Sequence, residues 1–239
     1  MTELRSLPEL LHLNAYPGRG IAMGLCENGS TAALAYFIMG RSENSRNRAF
    51  YKNGEDIGIC VPHPEKLIDG SLILYTPVRT LQDAVIVTNG DQTDTVFTAL
   101  ESGKSFEEAL MRRTFEPDAP HFTPRISALM RFAGSLNYKL SILKCGDGRG
   151  ESAFRQTFSY EPVQGMGHFI HTYQGDADPL ISFAGEPRAI SMPSDLDAFA
   201  AEVWNALHPQ NKIALYVRFY DLATGKYDDR LFNYYASEA

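Results

Sequence analysis

The densest run of polar side chains lies at residues 40–48, directly after a very apolar stretch. It contains Arg41, Arg46 and Arg48, with serines and asparagines between them. Guanidinium groups form paired, charge-assisted hydrogen bonds with phosphate, and the neutral side chains can add further ones. The segment is therefore a candidate phosphate site. A solvated loop at a strand end explains the same composition equally well, because arginine clusters also occur on ordinary protein surfaces.

A second polar run, residues 87–95, joins a predicted strand to a predicted helix. Its side chains can cap the helix, and backbone N–H groups at a helix start can face an anion. Capping alone is a sufficient explanation. The segment Thr123-Pro124-Arg125 leaves the same choice open, since Arg125 either reaches a ligand or lies on an exposed face.

One carboxylate stands at a junction where it can act as a base. Glu116 follows a predicted helix and precedes Pro117 and Pro120. Tyr75 and Arg79 stand four residues apart around a predicted strand end. By frequency alone, a glutamate at such a junction is more often a surface residue than a base.

Metal and disulfide chemistry have little support. The cysteines are odd in number and scattered, which suits reduced thiols: Cys26, Cys60 and Cys145. His168 and His171 have a spacing that can hold a metal on a helix, but Gly165 and Gly167 favour a strand or loop. No cysteine or carboxylate cluster accompanies the histidines, so no metal site is predicted.

The elements that must position these residues follow from periodicity and turn signals. Helices are predicted at 7–13, 94–102, 105–115, 124–133 and 194–207. Strands are predicted at 21–26, 32–39, 72–75, 84–88, 139–143, 153–160, 168–173, 213–220 and 231–235. The first two strands form a hairpin around Asn28-Gly29, and the last two form one around Thr224-Gly225.

This order of strands, then helices, then strands again predicts an α+β fold. The chain has no internal repeat and no Gly/Ser-rich linker, so residues 1–239 are expected to form a single domain. No strand is followed by the glycine pattern G-x-G-x-x-G, which argues against a dinucleotide-binding fold.

Composition narrows the function classes. The chain has 239 residues, 44% of them hydrophobic, and a formal net charge of −7. A net negative charge disfavours a general affinity for nucleic acid polymers, so any phosphate site must be local. No apolar run approaches the ~20 residues that cross a bilayer, and the start of the chain lacks the features of a secretory signal. We therefore expect no membrane partner and a cytoplasmic protein.

Taken in order, five segments resemble the archaeal-type IMP cyclohydrolase family. They are Tyr16-x-Gly18-Arg19, Arg41-Ser42 through Asn47-Arg48, Tyr75-x-x-x-Arg79, Asn89-Gly90-x-x-Thr93-Asp94-Thr95 and Thr123-Pro124-Arg125-Ile126. The resemblance covers residues 16–127, and the half of the chain from about residue 128 diverges from it. It implies a four-layer α-β-β-α sandwich like that of N-terminal nucleophile hydrolases.

The resemblance also implies a reaction, the dehydrative ring closure of 5-formamidoimidazole-4-carboxamide ribonucleotide to IMP. The substrate is a purine ribonucleotide, and no cofactor, metal or covalent intermediate is required. Whether the protein is a homo-oligomer is left open. By resemblance the catalytic residues are Arg48, Tyr75 and Glu116, with Asp118 as a rival for the carboxylate. The implied substrate-binding residues are Arg19, Arg41, Ser42, Asn47, Arg79, Asn89, Gly90, Thr93, Asp94 and Arg125.

Two other functions remain open from the sequence. An N-terminal nucleophile amidohydrolase would share the fold but needs a Cys, Ser or Thr at a mature N-terminus. The first core strand is instead preceded by Tyr16-Pro17-Gly18, and Cys26 lies too far into that strand. A noncatalytic nucleotide-binding protein would keep the arginines for binding without turnover.

Overall fold

The computed structural model describes residues 4–132 and 134–235. Its helices are α1 (Leu7–His12), α2 (Glu43–Arg46), α3 (Gln92–Glu101), α4 (Phe106–Leu110) and α5 (Leu196–Ala206). Its strands are β1 (Arg5–Ser6), β2 (Arg19–Leu25), β3 (Thr31–Met39), β4 (Ala49–Asn53), β5 (Asp56–Cys60), β6 (Val78–Leu81), β7 (Ala84–Thr88), β8 (Arg125–Arg131), β9 (Asn137–Cys145), β10 (Ala153–Tyr160), β11 (Met166–His171), β12 (Arg188–Ser191), β13 (Lys212–Asp221) and β14 (Tyr227–Asn233).

The strands form two sheets of seven strands each. The first has the order β1-β12-β11-β2-β3-β13-β14, and all its pairs are antiparallel except β1 with β12. The second has the order β10-β9-β8-β7-β6-β5-β4 and is antiparallel throughout. The predicted hairpin between β2 and β3 is confirmed. Its turn contains Gly29 at a φ of 69°, a value that glycine adopts without steric cost.

One apolar core contains side chains from both sheets. Ile21 and Tyr36 of the first sheet lie in the same cluster as Val85 and Ile126 of the second. Alternate residues of β3 point the other way, as the two-residue period of a strand requires, so Phe37 belongs to a different cluster. The two sheets therefore share a buried interior. The presence of both helices and strands confirms the predicted mixture of the two.

The helices pack on strand faces that point away from this shared core. Leu7 of α1 and Phe199 of α5 join the cluster on the first sheet. Val96 of α3 and Phe106 of α4 join the cluster on the second sheet. Capping boxes begin two of these helices, at Ser6 with Glu9 and at Ser105 with Glu108. The second capping box was predicted from sequence and is confirmed.

Two predicted elements are wrong. Residues 72–75 do not form a strand, because the backbone N–H groups of Ile73 and Leu74 turn back to the carbonyl of Gly70, and the strand starts only at Val78. Residues 124–133 do not form a helix, because residues 125–131 form the strand β8 between β7 and β9. Pro124 precedes a strand instead of opening a helix, and Ala133 lies outside the described residues.

The remaining predictions mostly hold, but apart from β8 the strands β1, β4, β5, β6 and β12 and the helix α2 were not predicted. The other predicted helices and strands are present with shifted ends, and α4 ends earlier than expected, at Leu110. The strands β4, β5 and β12 are each only four or five residues long and carry little periodic signal. In the described part of the chain, no helix has the length and apolar character that crossing a bilayer requires.

Candidate active site

A cleft of about 400 Å³ opens where the start of β2 meets three connecting loops. Its lining includes Arg19 from β2, Arg41 and Ser42 from the loop after β3, and Glu116 from the loop between α4 and β8. Tyr173, just after β11, completes one side. The structure thus brings together side chains that are more than 150 residues apart in the sequence.

The centre of the cleft is a buried ion pair between Arg19 and Glu116. Arg19 Nη2 lies 3.7 Å from Glu116 Oε2, and the two residues are 9% and 2% exposed. This separation is too long for a good hydrogen bond. Arg19 Nε and Glu116 Oε1 have no hydrogen-bond partner among the described residues. Each group therefore retains unused hydrogen-bonding capacity inside the protein.

The surroundings of Glu116 favour a carboxyl group that exchanges its proton near neutrality. Burial raises the pKa of Glu116 to about 7, although the positive charges of Arg19 and Arg125 oppose the rise. Its backbone N–H donates to the carbonyl of Thr123 at 2.9 Å, which ties the loop to the residues preceding β8. A group with this pKa can act as a base in one step and an acid in the next.

Arg48 is the second buried cation. It lies between α2 and β4 with no exposed surface, and its Nε donates to the carbonyl of Ser45 at 2.7 Å. Its Nη1 has no partner among the described residues. Burial and the positive charge of Arg19 lower the pKa of Arg48. With two guanidinium groups and one carboxyl group, the buried cluster has an affinity for negative charge.

Tyr75 belongs to this cluster through a phenol pair. Its hydroxyl lies 2.8 Å from that of Tyr36, which is fully buried on β3 and stacks on Phe50 at 5.6 Å between ring centroids. Burial raises the pKa of Tyr75, while the charges of Arg48 and Arg19 lower it. Tyr75 is therefore a neutral phenol at neutral pH, held in place by a rigid strand residue.

Asp118 has a different environment from Glu116. Its Oδ1 accepts the backbone N–H of Thr123 at 2.6 Å, and its Oδ2 accepts the hydroxyl of Thr123. The oxygen of that hydroxyl lies 2.5 Å from the hydroxyl of Tyr173. Both carboxylate oxygens are thus engaged in a chain of hydrogen bonds that ends on a cleft tyrosine.

The rim of the cleft carries the candidate phosphate residues. Arg41 Nη1 donates to Asp176 Oδ1 at 2.8 Å and to the carbonyl of Ala177 at 3.0 Å, and its guanidinium lies over the ring of Tyr16. Ser42 caps α2 by accepting the N–H of Ser45 at 3.2 Å. The ion pair between Arg41 and Asp176 is exposed to solvent, so it stabilises this position of Arg41 only weakly.

The chain is similar in sequence to a known protein family. A family model described as "IMP cyclohydrolase-like protein" matches residues 16–226, which is most of the chain. The chain belongs to this family. The match includes β8 to β13. Most of the chain after residue 128, where no motif was recognised from sequence, is therefore also matched by the family model.

Two curated relatives carry the name IMP cyclohydrolase. The protein from Methanopyrus kandleri is 34% identical over 118 residues, which are 48% of this chain and 58% of the relative. The protein from Methanothrix thermoacetophila is 29% identical over 119 residues, which are 48% of this chain and 57% of the relative. The chain therefore spans just over half the length of these relatives.

In this IMP cyclohydrolase-like protein, the residues of the 87–95 segment hold the ends of β7 and β8 together. Asn89, fully buried, donates to the carbonyl of Pro124 at 2.9 Å and accepts the N–H of Ile126 at 2.8 Å. Thr93 donates to the carbonyl of Gly90 at 3.0 Å. A side chain at Gly90 would collide with Arg125. The predicted substrate contacts Asn89, Gly90 and Thr93 do not line the cleft.

The other predicted contacts are also engaged within the protein. Arg125 is 6% exposed and donates to Asp91 at 2.6 Å, although it is close enough to influence Glu116. Arg79 pairs with Asp94 at 2.9 Å and lies over Phe97, away from the cleft. Asn47 joins its loop to the backbone of His63 in both directions. These contacts within the protein are sufficient to explain the presence of each of these residues without a ligand.

Two cleft tyrosines, Tyr16 and Tyr173, and the buried Tyr36 that contacts Tyr75 were not predicted as site residues. Tyr36 lies inside a very apolar strand and reads as a core residue. Tyr16 and Tyr173 stack on each other at 5.9 Å between ring centroids, across a large sequence separation. The one local signal was Gly18, whose φ is 78° and whose replacement by a larger residue would collide with Thr172 and Tyr173.

The histidine pair considered for a metal site and the three cysteines do not line the cleft. His168 and His171 lie on strand β11, and Tyr138 contacts His168 at 2.7 Å. Among the described residues, no group of three or more His, Cys, Asp or Glu side chains converges to hold an ion. The three cysteines are free thiols.

Proposed function

We propose that this protein catalyses the ring closure of 5-formamidoimidazole-4-carboxamide ribonucleotide to IMP. The observation that carries the proposal is the buried Glu116, with a pKa of about 7, beside the buried Arg19 and Arg48. Within the described residues, one oxygen of Glu116 and one nitrogen of each arginine have no hydrogen-bond partner. Family membership and the names of the two relatives support the same reaction. We take the substrate to be a purine ribonucleotide.

The proposed mechanism needs no external reagent. The carboxamide nitrogen attacks the formyl carbon, and the formyl oxygen gains negative charge. Glu116 accepts the proton that the nitrogen loses, and Arg48 stabilises the oxygen through its free Nη1. Glu116 returns this proton to the oxygen, which becomes a hydroxyl group on the new ring. It then takes the proton of the former formamido nitrogen and gives it to the hydroxyl group, so water leaves as the C=N bond forms. Tyr75, held by Tyr36, hydrogen-bonds the reacting groups and keeps them aligned.

Arg41 and Ser42 are proposed to bind the phosphate at the rim of the cleft, and Arg19 to contact the ribose or the reacting end. Arg41 would exchange its contact with the exposed Asp176 for a contact with phosphate. The more distant candidates Asn47, Arg79, Asn89, Gly90, Thr93, Asp94 and Arg125 are proposed to support the site by holding its loops and strand ends.

Glu116 is the stronger candidate for the proton transfer than Asp118. Both oxygens of Asp118 already accept hydrogen bonds from Thr123. Among residues 4–132 and 134–235, none donates a hydrogen bond to Glu116 Oε1, and burial is the largest influence on the pKa of Glu116. We propose that Asp118 positions Tyr173 through Thr123.

For the fold, we propose a single domain over residues 1–239 with the four-layer α-β-β-α arrangement of N-terminal nucleophile hydrolases. The shared core between the sheets and the helices on their outer faces support it. The amidohydrolase chemistry of those enzymes has less support, because Arg19 starts β2 and Cys26 is fully buried. Burial also raises the pKa of the Cys26 thiol to about 12, which makes it a poor nucleophile.

The test is incubation of the purified protein with the formamido nucleotide while following the ultraviolet spectrum, with IMP identified by mass. We expect IMP to form equally in the presence and absence of EDTA. Binding of the nucleotide without conversion would replace the proposal with a noncatalytic nucleotide-binding protein. Activity that requires cleavage of the chain near Tyr16 would support an amidohydrolase.

A further inference from the structure

A second pocket, separate from the cleft, lies between α1 and β11. We call it the α1–β11 pocket; it has a volume of about 330 Å³. Leu10 and Leu11 of α1 form one apolar wall, and Phe169 of β11 and Phe183 form another. A volume of this size falls at the lower end of the range for small-molecule sites.

His171 is the polar group at the base of the α1–β11 pocket. It is 8% exposed, and its ring lies 5.0 Å from that of Phe169 and 4.5 Å from that of Phe183, between centroids. Its Nδ1 donates to the carbonyl of Tyr173 at 2.7 Å. Burial lowers the pKa of His171 to about 4, so the ring is neutral at physiological pH. The hydrogen therefore lies on Nδ1, and Nε2 is an acceptor.

That acceptor is unused within the described chain: His171 Nε2 forms no hydrogen bond with any described residue. A ligand that meets it must supply an N–H or O–H group. The aromatic rings beside it favour a planar ring system.

Arg188 supplies the charge at the mouth of the same pocket. It is exposed at the start of β12, and within the described ranges its guanidinium group makes no ion pair or hydrogen bond. Its positive charge is near enough to contribute to the lowered pKa of His171. An anionic substituent on a ligand would therefore meet a guanidinium group that has no competing carboxylate.

The α1–β11 pocket and the cleft lie on opposite sides of one short segment. His171 faces the pocket, whereas Thr172 accepts the backbone N–H of Arg19 at 3.1 Å and Tyr173 lines the cleft. Pro17, two residues before Arg19, lines the pocket. The two sites therefore share a wall but present different side chains, and a ligand can occupy one without entering the other.

We infer that the α1–β11 pocket is a second ligand site, which binds a planar heteroaromatic anion with a ring N–H. The ring N–H donates to His171 Nε2, the ring packs between the aliphatic and aromatic walls, and the anionic group pairs with Arg188. The inference is independent of the reaction proposed for the cleft, because it is tested by binding alone.

Calorimetric titration with orotate, a planar ring with N–H groups and a carboxylate, tests the site. Uracil lacks the carboxylate and benzoate lacks the ring N–H. We expect one orotate to bind per chain and the two comparison compounds to bind at least about tenfold more weakly. No detectable binding of orotate at millimolar concentration, or equal binding of benzoate, would overturn the inference.

Variants locate the bound orotate. Arg188→Gln removes an exposed charge, and His171→Asn removes Nε2 while the amide can still donate to the carbonyl of Tyr173. Each should weaken orotate binding at least about tenfold. Arg112→Gln, an exposed arginine after α4, and Arg41→Gln in the cleft should not change it. Loss of binding in Arg41→Gln with full binding in Arg188→Gln would place orotate in the cleft and overturn the inference. Arg188 is exposed, so this test does not depend on the folding of the His171 variant.

Discussion

Arg48 and Arg218 are both shielded from solvent, but their guanidinium groups differ in how fully they are satisfied. Arg218 on β13 is 1% exposed and lies over the ring of Tyr227 at 3.9 Å. It donates to four surrounding groups: the hydroxyls of Tyr216, Tyr220 and Thr80 and the backbone carbonyl of Glu55. Arg48 lies close to Arg19, and its Nη1 has no partner in the described part of the chain.

The difference separates a structural arginine from one available for binding. Burying a guanidinium group is costly, and hydrogen bonds to every donor offset that cost within the folded state. A buried donor without a partner stays costly unless something outside the fold satisfies it. A buried donor without a partner is expected at a functional site, where a ligand can satisfy it, and is not expected elsewhere in a protein.

The largest effect is expected for Glu116→Gln, which keeps the shape of the side chain but removes its proton transfer. We expect turnover to fall by roughly 10²–10⁴-fold, with nucleotide binding and the free energy of unfolding largely preserved. Steady-state kinetics and calorimetric binding measure the two parts separately.

Asp118→Asn is the matched control for that variant. It should reduce turnover less, because the role proposed for Asp118 is to position Tyr173 through Thr123. Normal turnover by Glu116→Gln together with an inactive Asp118→Asn would transfer the catalytic role to Asp118. Full activity in both variants would remove a carboxylate from the mechanism.

Replacing each buried arginine with methionine tests the comparison directly. Arg218→Met removes the partner of four groups, and we expect the free energy of unfolding to fall by roughly 3 kcal/mol. Arg48→Met removes a charge that the fold satisfies only in part, so its unfolding free energy should change by less than about 1 kcal/mol while turnover is lost. Urea denaturation of both variants provides the measurement; equal destabilisation would mean that Arg48 is as structural as Arg218.

The third prediction concerns pH and the stability cost of Glu116. Its pKa in the folded protein, about 7, lies above the ordinary value of 4.5, so the folded state holds a proton that the unfolded chain has lost. Stability from this group is complete below pH 4.5 and is lost as the pH rises through 7. Between pH 5 and 8, the wild type should lose roughly 2 kcal/mol more unfolding free energy than Glu116→Gln. Parallel pH profiles for the two proteins would contradict an elevated pKa.

The smallest effect is expected at the rim, where Arg41 is exposed to solvent. We expect IMP to bind more tightly than inosine, with the difference shrinking as salt screens the charge. Arg41→Gln should weaken IMP binding roughly tenfold and leave inosine binding unchanged, because the role proposed for the arginine is to contact only the phosphate. Arg112→Gln provides the charge-matched control. Equal affinities for IMP and inosine at low salt would remove phosphate recognition from Arg41.

Much of the site could be anticipated from local sequence. The position of Glu116 after a helix and before two prolines marked it as a candidate base, and the run at 40–48 marked Arg41 and Arg48. The two wrong elements have a common cause: short apolar segments with a nearby proline fit more than one period. For residues 125–131, pairing with β7 and β9 decided the outcome, which no local signal could report.

The sequence by itself determined the two predicted hairpins of the first sheet, the helices α1 and α4, and the family to which the ordered motifs belong. These depend on turn residues, caps and spacing, which act over a few neighbouring positions. Only the tertiary structure decided which polar residues face the cleft. In the sequence, Asn89 and Thr93 are as plausible as Glu116 as site residues. In the structure, Asn89 and Thr93 donate hydrogen bonds to backbone carbonyls, whereas Glu116 is buried beside Arg19. The physical reason is that burial and unsatisfied hydrogen bonds arise from contacts between distant segments.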